Sequence, residues 1–339
     1  MRLENILALT NGELINSPFV NSFENIVYDA KNVRRGDLFI AFDEGTIEDA
    51  ILNGAYGVIF DKPTQISDSE IAWIKVKNLE DALSRILRFT LIDKEIDVYE
   101  CDEIVLKLAL QVVTEPNFIA LHGNLKFIFK MLSNIGNKAN ILFCPTITSA
   151  DIFTNIKKLP SNPHEKINII EQTLFETSFI YDNIFYERQL ISPFFMPYLE
   201  KLLHLFKSLK VNFRLRKFTP IEHFEAVFIN KKFEIKEFGT SDKVLIFEKS
   251  RSLTQKEIEF LQKQATWANL LYLIPFLDLN SIDENLLNNA NIVTYKNEND
   301  IKNILREHSF NFALIVGVEK SILSKPLINQ TQVSLFDLS

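Results

Sequence analysis

Short apolar runs with strand-like alternation are interleaved along most of this chain with stretches whose apolar residues recur at helical spacing. Such interleaving is the mark of α/β architecture, because parallel strands need crossover helices to connect them. The 339 residues suffice for two or three domains at roughly 100 to 200 residues each. Three α/β units are read. In residues 1–92, strand-like Asp37–Phe42 leads to a short helix ending near Gly54, then to strands Gly57–Phe60 and Ile71–Val76. A helix follows from Asn78 to about Thr90, with Leu83, Ile86, Leu87 and Leu91 on one face. Residues 93–218 give strands Phe118–Leu121, Ile141–Cys144 and Ile167–Ile170, a helix through Leu132, and another over Tyr198–Leu209. Residues 219–325 read as the clearest unit, a sheet with helices on both faces. Strands Val244–Glu248, Leu270–Ile274, Asn291–Tyr295 and Phe312–Val316 alternate there with helices, the first opening on Thr254 with Glu257 as a capping box. Residues 326–339 read as a flexible tail.

Composition narrows the function classes. Nine glycines occur where average usage of about 7% predicts roughly 24, and phosphate-cradling loops depend on glycine for close backbone approach. A net charge of −7 lacks the footprint of a nucleic-acid-coating protein, so direct nucleic-acid binding is not expected. Cys101 and Cys144 have no C-x-x-C spacing and read as buried apolar residues in a reducing compartment. Glu4 and Glu13 interrupt any leader-like apolar region, and no apolar stretch is long enough to span a bilayer, so a cytoplasmic location is expected. His122, His164, His204, His223 and His308 are scattered without metal-ligand spacing, and no metal site is read. In Val211–Lys217 apolar and polar residues alternate, which predicts a strand carrying Arg214 and Arg216 on one solvated face.

The segment Val27-Tyr28-Asp29-Ala30-Lys31-Asn32-Val33-Arg34-Arg35-Gly36-Asp37-Leu38-Phe39-Ile40-Ala41, followed by Ala50-x-x-x-Gly54-Ala55, resembles the N-terminal domain of the Mur ligases. These are ATP-dependent amide ligases of peptidoglycan synthesis, and the likeness is to the diaminopimelate-adding and D-alanyl-D-alanine-adding branches. The resemblance implies that this domain holds a uridine nucleotide, with Asp29 and Lys31 standing where the family has parts of an Asp-Ser-Arg triplet. Ala30 and Lys31 lack the hydroxyl and the planar guanidinium of that triplet, so the site is expected to be vestigial.

The resemblance further implies a Rossmann-like C-terminal domain over 219–325 and, over 93–218, a central ATPase-like domain with a T-G-x-N-G-K-T-T loop. Its counterpart here is Leu121-His122-Gly123-Asn124-Leu125-Lys126-Phe127-Ile128, in which Gly123, Asn124 and Lys126 match. Leu125 replaces a phosphate-wrapping glycine, and Phe127 and Ile128 replace hydroxyl residues, one of which would ligate magnesium. A reduced, degenerate central domain with a degenerate nucleotide loop is therefore expected, and a pseudoenzyme with no cofactor. The tail Gln332-Val333-Ser334-Leu335-Phe336 resembles the bacterial sliding-clamp-binding motif, which implies a DNA polymerase clamp as partner. The leading expectation is thus a catalytically degenerate Mur-ligase-like binding or adaptor module. The alternatives are a divergent ligase using ATP and Mg2+, and a non-catalytic UDP-sugar binder.

Overall fold

A computed structural model describes residues 1–160, 165–215, 217–241 and 243–324. The described residues of Met1–Ser161 and Lys210–Phe213 form one compact unit, and those of Asn162–Leu209 and Arg214–Ser339 form the other.

The first unit carries two sheets. Strands β1 (Glu13–Leu14), β2 (Ile26–Val27), β3 (Leu38–Ile40), β4 (Gly57–Phe60) and β5 (Ala72–Lys75) lie in the order β1-β5-β4-β3-β2. All neighbours run parallel except β1 on β5. The second sheet, β6 (Glu95–Glu100), β7 (Phe118–Ala120), β8 (Lys138–Phe143) and β9 (Ile156–Lys158), is wholly parallel in the order β7-β8-β6-β9. Helices α1 (Leu3–Thr10), α2 (Ile47–Leu52), α3 (Leu79–Leu91), α4 (Glu103–Val112) and α5 (Leu125–Ser133) complete the unit.

Helix α3 forms where the sequence places it. Asn78 caps it through a hydrogen bond from the Asp81 N–H at 2.9 Å, and Leu79, Ala82, Leu83, Ile86, Leu87 and Leu91 are buried. Burying each of the larger side chains contributes about 1.5–3 kcal/mol. The face they make does not belong to the first sheet alone. Ile6 of α1, Leu83 and Ile86 of α3, Ile128 and Leu132 of α5 and Ile141 of β8 lie in one continuous core. Packing therefore runs through residue 92, where the sequence suggested a division, because α3 has apolar neighbours from both sheets.

The second unit contains a three-stranded antiparallel sheet, β10 (Asn168–Gln172), β11 (Thr177–Tyr181) and β12 (Ile184–Gln189), together with α6 (Met196–Leu209). A five-stranded sheet follows, in the order β13-β14-β17-β15-β16: β13 (Glu225–Ile229), β14 (Lys243–Glu248), β15 (Leu270–Pro275), β16 (Ile292–Tyr295) and β17 (Phe312–Val316). Only β13 is antiparallel. Helices α7 (Thr254–Gln264), α8 (Glu284–Asn289) and α9 (Glu298–Glu307) connect its parallel strands. Both units are α/β, as the interleaved periodicities predict.

Two local expectations are overturned. Thr254 is the first residue of α7 rather than its cap, since a 3-10 turn over Arg251–Leu253 runs into the helix and the Thr254 hydroxyl donates to the Arg251 carbonyl at 2.9 Å. Glu257 does not reach back to cap the helix; it is wholly buried beside Glu248. The capping box instead opens α9, where Asn297 pairs with Asp300. Around 211–217, the only described pairing is an isolated bridge from Phe213 to Val113, so Arg214 lies on no strand, and Arg216 is outside the described residues. Alternation in so short a segment fits an irregular passage with buried Val211 and Leu215 equally well.

Candidate functional site

The turn before β3 and the turn before β4 are built as one piece. Asp37 is buried and accepts hydrogen bonds from Asn25 Nδ2 and from the Arg34 N–H, both at 2.9 Å. The Gly36 N–H donates to the Gly54 carbonyl at 3.2 Å, and the Tyr56 N–H donates to the Asp37 carbonyl at 2.8 Å. Gly54 has φ +100°, and a Cβ there would stand 3.1 Å from Arg35 Cα. Glycine is therefore required on both conformational and steric grounds. The Arg-Gly-Asp and Gly-Ala stretches that the sequence pairs by distance thus meet in space.

Both oxygens of Asp29 are engaged locally. Oδ1 accepts from the Lys31 N–H and Oδ2 from Asn32 Nδ2, each at 3.1 Å, which closes a short 3-10 turn over Ala30–Asn32. Lys31 points to solvent from that turn.

At the carboxyl end of β7, strand, loop and helix follow one another as the sequence suggests. His122 Nδ1 donates to the Ala120 carbonyl at 2.9 Å. Gly123 adopts φ +85°, and Asn124 caps α5 by accepting the Phe127 N–H on its side-chain oxygen at 3.0 Å. The Phe127 ring then folds back over the loop. Its centroid lies 5.1 Å from that of His122, and its Cδ1 lies 3.2 Å from where a Cβ on Gly123 would be. An anion cradle at a helix N-terminus needs N–H groups free to point at the ligand and open space over the glycine. Here the Phe127 N–H is taken by Asn124, and the space over Gly123 is taken by hydrocarbon. Phe127 and Ile128 also offer no oxygen to a hard cation, so this donor set does not fit a magnesium triphosphate.

Lys126 turns toward the first sheet. Its Nζ stands 5.4 Å from the centroid of the Tyr28 ring and 5.7 Å from that of Phe42. Tyr28 meets Phe42 and Phe129 edge-on, at centroid distances of 6.4 and 6.1 Å. The two candidate patches, around Asp29 and around Gly123, are thus brought together through Tyr28 and Lys126. Sequence reasoning missed Tyr28 and Phe42; the signal available was that Tyr28 directly precedes Asp29. Partial burial, followed by the charge of Asp29, pushes the Tyr28 hydroxyl above its ordinary pKa.

In the second unit, His223 Nδ1 lies 2.8 Å from Glu248 Oε1, and Glu248 also accepts the Phe224 and Ser250 N–H groups at 3.0 and 2.6 Å. Burial, and then the negative charge of Glu248, hold the Glu257 carboxyl well above the usual carboxylate range. All three side chains are enclosed and form a buried polar cluster. Both cysteines are buried, and burial pushes the Cys101 thiol up, which suits inert core residues. Among the described residues, no group of three or more His, Cys, Asp or Glu is arranged to hold a metal ion. No helix there is long and apolar enough to cross a membrane. Gln332, Val333, Ser334, Leu335 and Phe336 lie outside the described residues.

No family profile matches the chain. A UDP-N-acetylmuramoyl-L-alanyl-D-glutamate--2,6-diaminopimelate ligase of Clostridium tetani is 33% identical over 92 residues, which are 25% of this chain and 19% of that protein. The chain therefore matches about a fifth of that curated relative's length. Among solved structures, MurF from Acinetobacter baumannii superposes with a TM-score of 0.52 over 95% of this chain and 98% of that one, at 11% identity. The MurF ligase of Thermotoga maritima gives 0.47 over 88% and 95%, at 12% identity.

Proposed function

Because this chain has the Mur ligase fold, we propose that it serves as a binding or adaptor module built on that fold, without ATP-driven ligation. The observation that carries the reading is the Phe127 ring lying over Gly123 while Asn124 takes the Phe127 N–H. Phosphates and a magnesium ion would have to displace the Phe127 ring and a helix cap to enter. Lys126, the residue that would approach a terminal phosphate, is drawn to the faces of Tyr28 and Phe42 instead. The uridine-nucleotide position is weakened in the same way, since Asp29 spends both oxygens on its own turn. The fold accordingly keeps the family's cytoplasmic, peptidoglycan-linked ancestry while its ligation chemistry is retired.

The partner in this reading is the DNA polymerase sliding clamp, reached through Gln332–Phe336. Leu335 and Phe336 each supply about 1.5–3 kcal/mol on burial in an apolar pocket. The test of the whole reading is calorimetric titration of the full chain with Mg-ATP. No saturable heat is expected, and micromolar binding would return the chain to the ligases. A parallel titration with UDP-N-acetylmuramic acid is expected to be equally silent; binding that is abolished by Asp29→Ala would make the chain a sugar-nucleotide carrier. Clamp capture is expected to be lost in the Leu335→Ala, Phe336→Ala double variant, and equal retention would remove the clamp from the account.

A further inference from the structure

The richest unused chemistry lies at the amino edge of the five-stranded sheet. The turn between β10 and β11, closed by the Thr173 hydroxyl on the Phe175 and Glu176 N–H groups at 3.2 and 3.0 Å, drives Phe175 among other rings. Its centroid stands 6.0 Å from Phe228, 6.2 Å from Phe312 and 6.4 Å from Phe238. Trp267 meets Phe312 edge-on at 5.8 Å. These rings border an open cavity of about 500 Å³, within the range of roughly 300–1,000 Å³ typical of small-molecule sites. Trp267 is 75% exposed and Phe238 46% exposed, so large aromatic surface is left in water.

The charge pattern says what would cover it. Elsewhere the chain places its own lysines over aromatic faces: Lys126 over Tyr28 and Phe42, Lys207 over Tyr181, Lys243 over Phe310 and Lys296 over Phe276. Among the described residues, no such cation stands over Phe175, Phe238 or Trp267. The described lining holds no Lys or Arg, and its sole charge is the Glu176 carboxylate, whose side chain is 17% exposed. Arg188 approaches Glu176 only to 3.5 Å, from a side chain 72% exposed to solvent, which makes a weak and exchangeable pair. Negative ring faces beside a half-buried carboxylate attract a desolvated positive charge and repel an anion.

We propose that this cavity binds a small organic cation, a quaternary or alkylated ammonium on an apolar body, with the charge against the Trp267 and Phe238 rings and near Glu176. The site is independent of the loop at Gly123 and of any nucleotide.

Trp267 supplies its own readout, since the chain's other tryptophan, Trp73, is completely buried. Full-length protein titrated with benzyltrimethylammonium is expected to show a saturable fluorescence change and protection of Trp267 from acrylamide. Its neutral carbon isostere, neopentylbenzene, should bind about tenfold more weakly or worse, the contribution expected of a desolvated cation–π contact. Glu176→Gln should weaken the cation about three- to tenfold and leave the isostere unchanged. Phe238→Leu, which keeps bulk at a half-exposed position but removes the ring face, should weaken the cation by a similar factor. Absence of saturation, equal or tighter binding of the isostere, or wild-type affinity in both variants overturns the proposal.

Discussion

The loop at Gly123 and the cavity around Phe175 are built from the same materials and end in different states. Each has a tight turn pinned by a side-chain oxygen, Asn124 in one and Thr173 in the other, and each turn presents a phenylalanine. At Gly123 the ring closes over its own backbone, and the nearby lysine covers the neighbouring rings. At Phe175 the ring wedges among other rings but leaves Trp267 and Phe238 facing water. A loop with a backbone donor capped and a ring laid over its own glycine contributes to stability. One whose aromatic faces stay uncovered keeps free energy available for a ligand.

The contrast can be broken most directly at Phe175. Replacing it with alanine removes the wedge and should lower stability by about 2–4 kcal/mol, read by urea denaturation. A loss under about 1 kcal/mol would mean the rings are a loose surface patch and not a packed wall. Gly123→Ala comes next. At φ +85° with Phe127 pressed close, an L side chain should cost about 1–2 kcal/mol. An unchanged midpoint would show that the ring does not close the loop in solution. Asn124→Ala should cost about 1 kcal/mol through loss of the helix cap. If this variant also gained Mg-ATP affinity, the cap would be what keeps an anion out. The smallest effect is expected for Lys126→Met, about 0.5 kcal/mol from an exposed cation over Tyr28 and Phe42. A Tyr28 ring resonance that ignores this substitution in NMR spectra would remove the contact from the comparison.

Legibility was uneven for physical reasons. Strands β3, β4, β14, β15 and β17 were readable because both faces are buried and the sequence shows continuous apolar runs. Strand β10 was readable only in part, and β11 and β12 went unseen. Of these, β10 and β12 are mostly exposed and carry polar residues on both sides of the pattern, which blurs alternation. At the loop, Gly123, Asn124 and Lys126 were found by resemblance, yet a matched residue type does not reveal its partner. The Asn124 oxygen binds a helix N–H, and Lys126 lies over the Tyr28 ring, nearly a hundred positions earlier in the chain.

The sequence by itself determined the α/β class, the presence of turns at Gly36 and Gly54 and the hydrocarbon character of Phe127 and Ile128, because each follows from local periodicity, backbone freedom or side-chain chemistry. Only the tertiary structure decided that α3 joins two sheets in one core, that Lys126 meets Tyr28 and Phe42, and that Phe175, Phe238 and Trp267 share one cavity. Those are contacts between residues far apart in sequence. They are fixed by how apolar faces pack once formed, and no window of neighbouring residues encodes them.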